Sequence, residues 1–249
     1  MSALNATGRL VRTETKLYVR DRSTPVWGVG FPLIVLVILG SVPALREPRE
    51  IYGGLMAFDI YVPIMILFNL TILALTAMPT TLAGYRETGV LRRMQTTPVG
   101  PARMLVAQLA ANLAVALVAV ILFLAVAGLG FGVRPPQNAT GFVVSWVLSA
   151  VALLSMGLLV SALASGRNVA MAIGMVLFFP MMFLAGLWVP IAEMPPLLRD
   201  ISQYSPLGAG MQAFQDAYQG HFPSALPLVV LAGYAVVCAV GAVRWFRWQ

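Results

Sequence analysis

The sequence predicts an all-α integral membrane protein with six transmembrane helices, on three observations: sparse charge, six long charge-free windows, and cations confined mostly to one side. Of 249 residues, 59% are hydrophobic and only 10% are charged. Soluble domains carry about 25% charged residues because their surfaces must be solvated. The charges cluster, leaving windows of 23 residues from Arg22 to Arg46, 26 from Asp59 to Arg86 and 30 from Arg103 to Arg134. Three more hold 32 residues from Arg134 to Arg167, 25 from Arg167 to Glu193 and 22 from His221 to Arg244. A helix crosses roughly 30 Å of hydrocarbon with about 20 residues, so every window suffices. Runs such as Phe31-Pro32-Leu33-Ile34-Val35-Leu36-Val37-Ile38-Leu39 lack the alternation of a barrel strand.

The third observation sets the expected orientation. With the N-terminus inside, 12 of the 16 basic residues face the cytoplasm: Arg9, Arg12, Lys16, Arg20, Arg22, Arg86, Arg92, Arg93, Arg103, Arg167, Arg244 and Arg247. Only Arg46, Arg49, Arg134 and Arg199 lie outside. Positive charge collects on cytoplasmic loops, so a multi-pass protein of the cell membrane with both termini cytoplasmic is expected. The net charge of +7 then reflects this bias and the anionic inner leaflet, not nucleic acid.

In chain order, residues 4–22 read as an interfacial helix with Arg9, Arg12, Lys16 and Arg20 on one face. The alternative reading of the same run is a topology signal alone. Glu14 and Asp21 interrupt its apolar side and are expected to face protein, since a carboxylate in lipid is costly. Spans are predicted at 26–45, 58–83, 103–132, 141–164, 169–189 and 225–245. The centre of the charged loop after the second span can form a short helix of about three turns that Pro98 helps to end. Gly166-Arg167-Asn168 is a tight inner turn. The proline-rich segment 190–222 carries two amphipathic pieces, 195–204 and 207–219, with Leu207, Met211, Phe214 and Tyr218 on one apolar stripe. It is expected to fold back on the outer ends of the spans. The first 22 residues are polar, so no cleavable leader is expected, and residues 1–249 form one transmembrane domain.

Catalytic constellations do not emerge. One histidine and one cysteine, His221 and Cys238, build neither a His/Cys metal cluster nor a Cys–His pair. His221 reads as a solvated loop residue. The only lysine, Lys16, follows no glycine-rich loop, so a P-loop is not formed. The six windows lack the charged residues that ion-coupled carriers use as relays, and Asp59 sits at the outer edge of the second span and not at mid-membrane, which disfavours a secondary transporter without excluding it.

Three segments resemble the membrane subunits of the ABC-2 type transporter family, bacterial ATP-driven exporters that include antibiotic-resistance permeases. They are Glu14-x-Lys16-Leu17-x-x-Arg20-Asp21; Tyr85-Arg86-Glu87-x-Gly89-x-Leu91-Arg92-Arg93-Met94 with Thr97-Pro98-Val99; and Phe179-Pro180-Met181-Met182-Phe183-Leu184-Ala185-Gly186 through Pro190, Met194-Pro195, Ser205-Pro206 and Gly220. With the six spans, the resemblance covers nearly the whole chain. It implies an elbow helix at 4–22, bearing Arg9, Arg12, Glu14, Lys16 and Arg20, and a coupling helix at 86–97. In that helix Arg86, Glu87, Thr88, Gly89, Val90, Leu91, Arg92, Arg93 and Met94 would dock on a separate ATPase. It further implies a path lined by spans two and five and an outer gate at 190–222.

On that resemblance the chain is expected to be a non-enzymatic transport subunit with no cofactor of its own, ATP and Mg residing on a cytoplasmic ABC ATPase. A second copy or paralog, membrane lipids and a hydrophobic small molecule are the other expected partners. Export of an envelope lipid or glycan conjugate is the alternative cargo. For the substrate path the residues of choice are Met65, Phe68, Asn69 and Thr71 in span two, and Phe178, Phe179, Met182 and Phe183 in span five. Flexible methionines and aromatics suit loose recognition of apolar molecules, and the same residues also suit helix packing. An ion pair from Glu14 or Glu87 is expected across the junction of elbow and coupling helix.

Overall fold

Apolar windows fold as helices because a backbone without water must bond to itself. The computed structural model describes residues 8, 11–16, 20, 25–48, 56–95 and 101–245, without the side chains of Leu91, Met94, Gln95, Pro101 and Ala102. Along it run α1 (Val26–Gly40), α2 (Ala57–Glu87), a short α3 (Val90–Gln95), α4 (Arg103–Gly130), α5 (Ala139–Leu163) and α6 (Arg167–Leu184). Then come α7 (Pro196–Tyr204), α8 (Pro206–Tyr218) and α9 (Ala225–Trp245). Five of these, α2, α4, α5, α6 and α9, are long and apolar enough to cross a membrane.

At the position of the expected first span, α1 is apolar but shorter than 26–45. The cause is local. The Ser41 hydroxyl donates back to the Val37 carbonyl at 2.8 Å. Val42, preceding Pro43, is extended, as a residue before proline prefers. A 3-10 turn, Pro43–Leu45, follows.

The hub of the bundle is α2, whose apolar stretch is 72% buried against 28% for α4 and α6. A π-turn interrupts it at Leu73–Ala77. Pro79 follows, and with no N–H it leaves the Leu75 carbonyl without its usual helical donor. Gly157 of α5 and Gly174 of α6 lie against this stretch. A Cβ at Gly157 would overlap the Ala74 carbonyl, and one at Gly174 the Leu75 carbonyl. Three helices therefore meet at backbone distance, where small residues give lipid-embedded helices their closest packing.

At the proline-rich end, α7 and α8 fold back as expected. Leu207, Met211, Phe214 and Tyr218 are all buried. The Phe142 ring of α5 meets Phe214 at 5.0 Å and Tyr218 at 6.1 Å. Ser205 starts α8 by accepting the Gly208 N–H at 3.0 Å while donating to the Ser202 carbonyl at 2.8 Å.

Candidate functional site

Polar side chains converge at the basic end of the bundle, where α2 ends. Three consecutive residues there reach three different parts of the chain. The Tyr85 hydroxyl bonds the Glu14 carboxylate at 3.0 and 3.1 Å, tying in the N-terminal segment, whose residues 11–16 are helical. Arg86 donates to the Ala164 carbonyl at 2.8 Å and the Ser161 carbonyl at 3.1 Å, at the end of α5. Glu87 accepts the Arg167 backbone N–H at 2.9 Å, at the start of α6.

This corrects the helix expected at 86–97. Arg86 and Glu87 belong to the last turn of α2, and a break at Thr88-Gly89 separates them from α3. Gly89 sits at φ 69, a left-handed conformation that ends helices and favours glycine. Thr88 donates through its hydroxyl to the Gly84 carbonyl at 2.9 Å. Val90 is half-buried, Arg92 and Arg93 are exposed, and the side chains of Leu91 and Met94 are outside the described set, as are residues 96–97. Glu14 does bridge the N-terminal segment and α2, with a tyrosine hydroxyl as partner where a cation was expected. Glu87 turns instead to the α5–α6 turn. On the N-terminal segment, Arg12, Thr15, Lys16 and Arg20 line a recess of about 490 Å³. Arg9 and Asp21 fall outside the described residues.

Glu14 is only 6% exposed. Burial pushes its pKa above the ordinary 4.5, and the Tyr85 hydrogen bond pulls it part of the way back. A carboxyl raised on folding stabilises the folded state below its ordinary pKa, and that contribution fades as pH climbs through the raised value. Thermal stability is therefore expected to fall as pH rises above about 4.5. Glu14→Gln should flatten that part of the curve, which melting curves of both proteins across the pH series would check.

Farther along the bundle, a run of rings links α1, α2 and α6. Trp27 meets Phe31 at 5.7 Å, Phe31 meets Phe68 at 5.6 Å, and Phe68 meets Phe178 edge-on at 5.3 Å. Phe178 then meets Phe179 at 5.5 Å, and Phe179 stacks on Trp188 at 6.3 Å. Phe68 and Phe178 are interior, whereas Trp27, Phe31, Phe179 and Trp188 are exposed. Of the other expected path residues, Met65, Asn69, Thr71 and Met182 are buried and Phe183 is half-buried. Asn69 donates to the Gly28 carbonyl of α1 at 2.7 Å, and Thr71 to the Leu67 carbonyl of its own helix at 2.6 Å.

Asn69 thus finds its polar partner in the protein. Asn69→Leu would remove the donor from a buried carbonyl and is expected to cost about 1–2 kcal/mol, read as a lower unfolding temperature.

Sequence reasoning did not single out Trp27, Phe31 and Trp188. The spacing of Trp27 and Phe31, four apart on one helical face, was a usable signal for the first two. Among the described residues, no group of three or more His, Cys, Asp or Glu could hold a metal ion. A family model described as ABC-2 type transporter matches residues 5–219. No curated protein matches the chain.

Proposed function

We propose, for a chain that belongs to the ABC-2 type transporter family, that it is the permease subunit of an ATP-driven exporter of hydrophobic or amphipathic small molecules. In this reading ATP and Mg are handled by a separate cytoplasmic ABC ATPase, because the chain carries no P-loop lysine. The chain itself performs no chemistry. It works beside a second copy or a paralog, with both termini in the cytoplasm as the distribution of its cations favours.

The observation that carries the reading is the charged end of α2 followed by α3. Exposed Arg92 and Arg93 stand next to residues that reach the N-terminal segment, α5 and α6 at once. A partner pressing on α3 would be felt in all of them. The aromatic run through α1, α2 and α6 supports a path for apolar cargo.

The test is co-purification in mild detergent with the ABC ATPase encoded nearest to it, then ATP-dependent uptake of a hydrophobic dye into inverted vesicles. Reversing Arg92 and Arg93 to glutamate should weaken capture of the ATPase by at least about tenfold, since misplaced like charges at an interface cost several kcal/mol. Failure of the unmodified chain to bind any ABC ATPase would overturn the proposal.

A further inference from the structure

We infer that Arg86 and Glu87 are positioning residues that clamp the end of α2 onto the α5–α6 turn, so that α5 and α6 follow α3 as one hairpin. The inference takes the direction of the push from the proposed exporter reading, but the clamp stands on its own geometry.

A helix leaves its last carbonyls and first N–H groups without partners, and its ends carry opposite partial charge. At the end of α5 those carbonyls receive a cation: Arg86 reaches the Ser161 and Ala164 oxygens. At the start of α6 the N–H of Arg167 receives an anion, the Glu87 carboxylate. Gly166 is the N-cap of α6 and supplies no side-chain cap. The Glu87 oxygen occupies the space where a Cβ at Gly166 would stand. Glu87 therefore does from a distant helix what a serine or aspartate N-cap does locally.

Each charge is thus matched in sign to the helix end it touches, and the two helix ends belong to one short turn. The reverse order, a carboxylate on the α5 carbonyls and a guanidinium on the α6 N–H, would repel at both ends. The same two helices also meet α2 about 16 Å away along its axis, at Gly157 and Gly174. Gripped at two levels, the hairpin cannot slide on α2 without breaking one of them. Arg86 is half-buried and Glu87 exposed, but both are engaged with backbone atoms of the hairpin, so the two residues act through the hairpin and not as docking charges for an ATPase.

Amide hydrogen exchange of the full-length chain, alone and bound to its ATPase, tests this on peptides covering 164–172. Glu87→Ala and Gly166→Ala are each expected to raise exchange at Arg167 at least about tenfold, since each removes a charge-assisted bond. Glu87→Gln keeps an acceptor oxygen but loses the charge, and should exchange more slowly than Glu87→Ala and faster than the unmodified protein. The double variant Glu87→Ala/Gly166→Ala should exchange no faster than either single one, because both remove the same contact. ATPase capture should persist in Glu87→Ala while dye uptake per ATP falls. Unchanged exchange, additive effects in the double variant, or loss of ATPase capture with exchange intact would overturn the clamp. Should Gly166→Ala not fold, the contrast of Glu87→Ala with Glu87→Gln carries the test. If the unmodified chain binds no ATPase, the exporter reading fails, and the exchange results still decide on the clamp.

Discussion

Gly174→Ala is expected to lose most of its folded protein, and Gly157→Ala to behave alike. Each added methyl would enter the space of a backbone carbonyl of α2, Leu75 for the first and Ala74 for the second. A flexible side chain could rotate away, but a carbonyl moves only with its helix. Overpacking a tight core costs about 1–3 kcal/mol, and these sites belong at the upper end. The carbonyls are also where the π-turn and Pro79 have already loosened the ladder, so separating the helices would expose groups that lipid cannot satisfy. Combining the two substitutions should cost less than their sum, because the first already separates the helices around the same stretch of α2. Gly233 of α9 is the control. Nothing lies within 4 Å of a Cβ there, so Gly233→Ala should be neutral or stabilise by about 0.5–1 kcal/mol through helix propensity. Thermal unfolding in detergent separates the three outcomes.

Such contacts mark where sequence reading stopped. The spans were legible because a charge-free window obeys a length rule that lipid imposes, and α2, α4, α5, α6 and α9 formed close to the predicted bounds. The stripe of Leu207, Met211, Phe214 and Tyr218 was legible because helical periodicity decides which face is buried. Local punctuation was read less well. Pro43 shortens α1, and Gly89 detaches α3 from the residues before it.

Least legible were pairings across sequence distance. Tyr85, Arg86 and Glu87 looked like a charged loop, yet their partners are 71, 78 and 80 residues away. One sequence contains no trace of which carbonyl a guanidinium will meet. Gly157 and Gly174 carry no signal either, since a glycine in an apolar helix looks the same whether it packs on a backbone or faces lipid. The path residues show the same limit. Residue type, within the two spans that the family resemblance implies line the path, chose Phe68, Asn69, Phe178 and Phe179 together, but three are interior and only Phe179 is openly exposed.

That division makes neighbouring phenylalanines a decisive comparison. Phe178 is 5% exposed and joins Phe68 to Phe179, so Phe178→Ala opens a cavity between α2 and α6. In water a buried Phe→Ala change costs about 3–5 kcal/mol. In lipid the transfer part shrinks, because acyl chains are as apolar as the core, and the packing loss of about 2 kcal/mol remains. Its unfolding temperature should fall, and dye uptake should fall with it. Phe179 is 56% exposed, so Phe179→Ala should change stability by less than about 0.5 kcal/mol. If Phe179 lines the route of the cargo, uptake should nevertheless drop several-fold through a higher KM, because an exposed ring that stacks on Trp188 offers a flat apolar face to a passing molecule. Uptake unchanged in Phe179→Ala would assign that ring to lipid contact and leave the buried Phe68–Phe178 pair as packing between α2 and α6. Lower uptake at unchanged stability would place the cargo on the exposed end of the aromatic run, where Trp188, on which Phe179 stacks, becomes the next residue it meets.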